Sequence, residues 1–345
     1  SDVLSATYYA NVQLNGGDGD DSLSTSTARN QTLNGGSGDD SLSVHINPNN
    51  DPGVIDYLNG SRVNPATRSV LLDGGTGDDS ITVTSTTWGT EDSQRGKTDI
   101  TVRAGDGDDF IDISHYNAHW SAENGYASVD ANTGSGDDEI RISGGLKTQI
   151  TTGSGSDSIH LTVDHYKTLL VGERKYLIDN PTGNFTVRSG KMWRESDNPS
   201  DYVFIQPEAI VVTDFTTGAN GDILDYSDLL NNSAINYQGD NPFTSGFLTL
   251  TQSGSDTLVG FDRDGTNASE HQSVTLAVLK NTSPTQLTAD NFGPRFSPGG
   301  SDTPAKNIIN GTGNAETLIG GLAADVIYGN GGNDSIEGNA GDDTI

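Results

Sequence analysis

The chain has no cysteine and a single methionine in 345 residues, so it has no disulfide framework and no thiolate metal site. Basic residues are scarce, with 18 Lys and Arg against 48 Asp and Glu and a formal charge of −30. Phosphate backbones are bound through clustered Lys and Arg that release counterions, which disfavours nucleic acid as a partner. Anionic membrane surfaces are disfavoured for the same reason. No apolar run approaches the ~20 residues of a membrane helix, so no membrane insertion is expected. Ser1 leads directly into a polar, strand-like stretch without the pattern of a signal peptide, and targeting information is expected to have been removed or to lie elsewhere. Hydrophobic residues make up only 31%. Leu, Ile, Val and Phe together are about a fifth of the chain, near the ~20% line below which charged chains tend towards disorder. The length allows two or three domains, but the apolar content is thin for large cores. Whatever folds this chain must neutralise carboxylates.

Glycine is plentiful, at 44 residues, and it is organised in repeats. Six segments share one pattern. They are Gly16-Gly-Asp-Gly-Asp-Asp-Ser-Leu23, Gly35-Gly-Ser-Gly-Asp-Asp-Ser-Leu42, Gly74-Gly-Thr-Gly-Asp-Asp-Ser-Ile81, Ala104-Gly-Asp-Gly-Asp-Asp-Phe-Ile111, Thr133-Gly-Ser-Gly-Asp-Asp-Glu-Ile140 and Thr152-Gly-Ser-Gly-Ser-Asp-Ser-Ile159. Towards the C-terminus the pattern becomes continuous with a nine-residue period. Its sixth positions are Glu316, Asp325, Asp334 and Asp343, followed two residues later by Leu318, Ile327, Ile336 and Ile345. Glycines let a loop wrap closely around a ligand with its carbonyls inward. The sixth-position carboxylate adds a charged oxygen, and calcium takes six to eight such hard oxygens at about 2.3–2.6 Å. The alternating residues after the Asp make a short strand with Leu or Ile facing in. One loop cannot complete a coordination sphere, but stacked loops can.

These motifs resemble the RTX family of calcium-binding β-roll proteins, whose nonapeptide reads Gly-Gly-x-Gly-x-Asp-x-apolar-x. The resemblance covers roughly residues 11–165 and 307–345. It implies Ca²⁺ ligands at Asp21, Asp40, Asp79, Asp109, Asp138, Asp157, Glu316, Asp325, Asp334 and Asp343. It also implies backbone carbonyl ligands at the first and third positions: Gly16, Asp18, Gly35, Ser37, Gly74, Thr76, Ala104, Asp106, Thr133, Ser135, Thr152 and Ser154. Glu316 departs from the pattern. Ala104, Thr133 and Thr152 replace the first Gly, a change that a carbonyl ligand tolerates.

Spacing adds what the family name does not. Two nonapeptides make one roll turn of about 18 residues, whereas the first six motifs recur at 19, 39, 30, 29 and 19. An interval of 19 fits one turn with a calcium loop on one edge and an ordinary turn, such as Thr25 to Gln31, on the other. Longer intervals fit a turn with a loop excursion, or two turns in the longest case. The insertions are His45–Ser69, Thr84–Lys97 and His115–Tyr126. Tyr8, Tyr9, Trp88, Tyr116, Trp120, Tyr126 and Trp193 fall in or near excursions, as sugar or subunit contacts or as small local cores.

Residues 166–300 lose the motif. Phe204-Ile-Gln, Ile210-Val-Val-Thr-Asp-Phe215, Phe247-Leu-Thr-Leu-Thr-Gln252 and Ser273-Val-Thr-Leu-Ala-Val-Leu279 read as strands, and Tyr226–Leu230 as one helical turn. The stretch from Val212 to Leu230, with Asn241-Pro-Phe, Gly254–Gly265 and Leu287-Thr-Ala-Asp-Asn-Phe292, looks like the region following the repeats in type I secreted RTX proteins. A solenoid end needs covering, so it reads as a cap. Asp262-Arg-Asp264-Gly reads as a hairpin turn, with an ion held by Asp262 and Asp264 as the alternative. The chain ends within a nonapeptide, at Asp342-Asp-Thr-Ile345, and is expected to be a segment of a longer protein.

Catalytic motifs are missing from this sequence: no Gly-x-Ser-x-Gly elbow, phosphate loop or His-Glu-x-x-His occurs. His115 and His119 have helical zinc spacing but follow a strand, and read as loop histidines. His160 and His165 flank Asp164 without a nucleophile motif. Paired carboxylates are the machinery of glycoside cleavage, but the Asp pairs of this chain belong to the calcium loops.

The expected fold is all-β: a right-handed parallel β-roll with a one-sided calcium row over 1–165, a β-rich cap over 166–292, a linker over 293–306 and a second roll from 307. The expected protein is a non-enzymatic, secreted, calcium-folded segment of an adhesin, surface layer or filament. Its expected partners are calcium ions, copies of itself or cell-surface polysaccharide, and the type I secretion machinery. The alternative is a secretion and folding module of an exoenzyme or toxin.

Overall fold

The computed structural model describes residues 1–7, 11–26, 30–46, 68–87, 98–117, 127–144, 147–162, 185–188, 191–194, 209–267, 271, 273–300, 307–320, 325–338 and 344–345. They fall into two compact units, Ser1–Asp214 and Phe215–Ile345.

The first unit is a parallel β-roll. Its strands are β1 (Val3–Thr7), β2 (Asn11–Asp18), β3 (Ser22–Ser26), β4 (Asn30–Ser37), β5 (Ser41–Ile46), β6 (Arg68–Thr76), β7 (Ser80–Thr87) and β8 (Thr98–Asp106). They continue with β9 (Phe110–Asn117), β10 (Ala127–Ser135), β11 (Glu139–Gly144), β12 (Lys147–Ser154), β13 (Ser158–Leu161), the hairpin β14 (Phe185–Arg188) and β15 (Lys191–Arg194), and β16 (Ile210–Val212). Odd-numbered strands β1 to β13 form one sheet, and β2, β4, β6, β8, β10, β12 and β16 form the other. The chain therefore changes sheet at each repeat loop and returns at the opposite edge, so all six loops lie along one edge.

Period-two alternation makes the stack. Each apolar residue after a sixth-position Asp pairs with the next: Leu23 with Leu42, Leu42 with Ile81, Ile81 with Ile111, Ile111 with Ile140 and Ile140 with Ile159. All six are buried, as are Leu33, Leu72, Val102, Ala131 and Ile150 on the facing sheet. Similar aliphatic residues in register fill a narrow interior with stacked columns. The 39-residue interval is a single turn, because β5 pairs directly with β7 and β4 with β6. The expected insertions and their aromatic side chains lie largely outside the described residues, as do His119, Asp164 and His165.

The second unit holds β17 (Ile223–Asp225), helix α1 (Ser227–Asn232), β18 (Leu248–Ser253), β19 (Asp256–Phe261), β20 (Val274–Leu279) and β21 (Phe292–Gly293). β18, β19 and β20 are an antiparallel meander, and β17 pairs with β21 in parallel. Tyr226, Phe243 and Phe292 gather with ring centroids 4.9–6.3 Å apart. Asn291 is fully buried and ties the unit internally, donating to Asp222 O at 2.9 Å and accepting from Gly218 N at 2.8 Å. Strands formed where alternation predicts them around 210, 248 and 274, and α1 formed beside Tyr226. Phe204-Ile-Gln lies outside the described residues. The repeat array supplies β22 (Asn307–Asn310), β23 (Thr317–Ile319), β24 (Asp325–Tyr328) and β25 (Ser335–Glu337). β22 pairs with β24 and β23 with β25, each shifted by two nonapeptides, so here repeat loops occupy both edges. Among the described residues no helix is long and apolar enough to cross a membrane.

Candidate metal centre

Each repeat loop of the roll is built by two glycines with left-handed backbone. Gly36 and Gly38 have φ of +118° and +115°, and a Cβ on Gly36 would collide with Gly17 O of the preceding turn. Only glycine permits both the backbone and the approach. The loop then turns its sixth-position Asp inward. Asp21, Asp40, Asp79, Asp109, Asp138 and Asp157 are all buried, at 0–4% exposure.

Their carboxylates form a ladder along the roll. Oδ1 of Asp40 accepts the backbone N–H of Asp21 at 2.8 Å, and Asp79 that of Asp40 at 2.7 Å. Asp109 accepts from Asp79 at 2.7 Å, Asp138 from Asp109 at 2.8 Å and Asp157 from Asp138 at 3.0 Å. The other oxygen is different. Oδ2 of Asp21, Asp40, Asp79, Asp109 and Asp138 is buried without a hydrogen bond. A buried ionised oxygen left so is costly, and where space opens beside it, it marks where a positive partner belongs.

The partner's place is defined by the first loop residue. Strand pairing skips that residue at every turn, running Asn15–Asn34 and then Gly17–Gly36, and likewise through β12. A Cβ on Gly16 would lie against Asp21 Oδ2 and 2.5 Å from Gly35 O. On Gly35 it would meet Asp40 Oδ2 and, at 2.6 Å, Gly74 O; on Gly74 it would meet Asp79 Oδ2 and Ala104 O. An orphaned carboxylate oxygen and the next turn's carbonyl thus converge on one small space beside each glycine. Both donors are hard oxygens, the kind calcium takes. Among the described residues no cluster of three or more His, Asp and Glu side chains forms. From Ser37 onward the third-position carbonyls already accept one bond each, as Ser37 O from Gly19 N at 2.6 Å and Thr76 O from Gly38 N at 2.8 Å.

Burial raises these carboxyls. Asp40 is lifted above its usual range, Asp79 to about 6 and Asp109 to about 7, in each case by burial against the relief of one backbone N–H. Asp138 is also raised by burial, held back by the Asp109 N–H.

Three features escaped sequence reasoning. The fifth-position aspartates form a second ladder in the opposite sense, on the exposed side. Asp20 accepts Asp39 N at 3.2 Å, Asp39 accepts Asp78 N at 3.0 Å and Asp78 accepts Asp108 N at 2.9 Å. The recurring Asp-Asp pair carried this signal. Asp2 stands in register with the sixth-position row, its N–H donating to Asp21 Oδ1 while Val3 pairs with Ser22. Asp214 follows β16, and its carboxylate accepts Thr152 N at 2.9 Å and Gly153 N at 3.0 Å.

In the second array, glycines again stand beside the carboxylates. A Cβ on Gly320 would lie 2.5 Å from Asp325 Oδ2, and one on Gly329 2.8 Å from Asp334 Oδ2. Glu316 is longer by one methylene and folds back, accepting Thr312 N and the Thr312 hydroxyl at 2.6 Å each, which lowers its carboxyl pKa. Asp343 lies outside the described residues. Asp262 and Asp264 form a turn in which Asp264 N donates to Asp262 Oδ1 at 3.2 Å and His271 N to Asp264 Oδ2 at 3.2 Å. His160 Nε2 is 3.1 Å from Glu139 on the strand pair β11–β13.

Comparison with protein families finds the RTX calcium-binding nonapeptide repeat in four copies, at residues 25–43 and 310–345. No curated protein and no solved structure matches the chain.

Proposed function

A bearer of RTX calcium-binding nonapeptide repeats, and so a protein that binds calcium, this chain is, we propose, a secreted, non-enzymatic segment whose roll is completed by calcium outside the cell. The observation carrying this reading is the row of buried Oδ2 atoms without hydrogen bonds, those of Asp21, Asp40 and Asp79 each converging with a backbone carbonyl of the next turn. The ligands are then the sixth-position carboxylates and first-position carbonyls, with third-position carbonyls offering a second lone pair. The bound ion would supply charge neutralisation and a crosslink between successive turns. The chain's own residues do the rest: glycines open the space, the Oδ1 ladder aims each carboxylate, and the parallel strand ladders set the turn spacing.

Without the ion, a chain of charge −30 and thin apolar core repels itself. With it, binding free energy becomes folding free energy. Affinities near 10⁻⁴–10⁻³ M suit extracellular calcium, and an unfolded, calcium-free chain suits passage through a type I exporter. Within that frame the role is structural or adhesive, in a surface layer, filament or adhesin, with copies of the chain or surface polysaccharide as partners. Far-UV circular dichroism and hydrodynamic radius should both report compaction between chelator and ~10 mM calcium; no change in either would refute calcium-coupled folding. Light scattering with negative-stain imaging during the same titration tests the structural role. Ordered polymers support it, and a compact monomer at saturating calcium sinks it.

A further inference from the structure

The six first-position residues of the roll are not alike: Gly16, Gly35 and Gly74 are followed by Ala104, Thr133 and Thr152. The backbone register is the same for all of them, so the later three place a Cβ where the glycines leave room. All three side chains are fully buried. The two threonines do more than fill space. The Thr133 hydroxyl donates to Thr152 O, the atom equivalent to Gly35 O and Gly74 O in the glycine turns. The Thr152 hydroxyl lies 3.2 Å from Asp214 Oδ1, which also takes the Thr152 N–H.

Resting on the calcium reading above, we propose that the row is divided: turns opened by Gly16, Gly35 and Gly74 take an ion, while Thr133 and Thr152 replace it with a hydroxyl. The physical exchange is simple. Between glycine turns two acceptor oxygens face each other and need a positive partner. A hydroxyl hydrogen supplies one to the carbonyl, and the threonine carbon atoms occupy the volume the ion would need, so Asp138 Oδ2 stays bare where no ion fits. Ala104 excludes the ion with its methyl group. The C-terminal turns, β10 to β13, therefore hold together with less dependence on calcium than β2 to β7. A solenoid permits such a division, since each turn contacts only its neighbours.

The test uses the full chain, with calcium counted by equilibrium dialysis and backbone protection followed by hydrogen exchange in chelator and in calcium. In the parent, amides of β10 to β13 should be protected in chelator, and those of β2 to β7 only with calcium. Ala104→Gly and Thr133→Gly should each add one bound ion per chain, and Thr133→Gly should make protection of β10 and β11 calcium-dependent. Gly74→Thr should remove one ion. Should that variant fail to fold, the two glycine variants decide, since both open space. Calcium-dependent protection spread evenly over both stretches, or unchanged stoichiometry in both glycine variants, would overturn the division. No calcium bound at all would instead refute the calcium reading itself.

Discussion

Replacing Asp79 by Asn separates the two jobs of a sixth-position carboxylate. The amide keeps Oδ1, which accepts Asp40 N–H at 2.7 Å. It exchanges Oδ2, buried and without a hydrogen bond, for an NH₂ group facing Ala104 O. Burial lifts the Asp79 carboxyl from 3.8 to about 6. At ~1.4 kcal/mol per tenfold, ionising it at neutral pH costs the calcium-free roll about 3 kcal/mol. Asp79→Asn removes that cost, so in chelator at pH 7.5 the variant should be the more folded protein. In calcium the order narrows. A site with Kd near 10⁻⁴–10⁻³ M contributes about 1.4–2.7 kcal/mol at ~10 mM calcium, and the variant loses that increment. Urea unfolding followed by far-UV circular dichroism, from chelator to ~10 mM calcium, measures both quantities. A variant less folded than the parent in chelator, or one with an undiminished calcium increment, would refute the reasoning.

Acid should substitute partly for calcium. A carboxyl raised on folding binds more protons in the folded state, so its contribution is fully present below about pH 4. That stability is lost as pH rises through about 6 at Asp79 and about 7 at Asp109. In chelator, lowering the pH from 7.5 to 5 should increase roll structure by circular dichroism, and less so in Asp79→Asn. Gly36→Ala, with φ +118° and a Cβ driven into Gly17 O, should prevent β2 and β4 from pairing at any calcium concentration, seen as lost amide protection there. Asp39→Asn keeps an acceptor for Asp78 N and should change stability by less than about 1 kcal/mol with calcium stoichiometry intact, because that ladder is exposed. Ile81→Ala should cost about 2–5 kcal/mol in calcium, measured by urea unfolding, since Ile81 is fully buried between Leu42 and Ile111.

Much of this protein was legible in its residues. Glycine at two left-handed loop positions, Asp at the sixth and an aliphatic two places on are local requirements of one loop, so each repeat states them. The one-edged row followed from the 19-residue spacing, because a turn of about 18 residues that carries the motif only once has such a loop on one edge alone. Stacking decided what no single repeat contains. Whether the 39-residue interval makes one turn or two depends on which strands pair, and β5 pairs with β7. That Oδ1 is spent on the neighbouring turn's N–H while Oδ2 is left bare is a relation between turns. So are the outer ladder of fifth-position aspartates and the closure of the row by Asp214, which lies 62 residues from Thr152 in sequence. The substitution of Gly by Thr at 133 reads as tolerable in a list of motifs. Only in the roll does its hydroxyl meet the carbonyl of Thr152, because that contact requires the next turn to be in place.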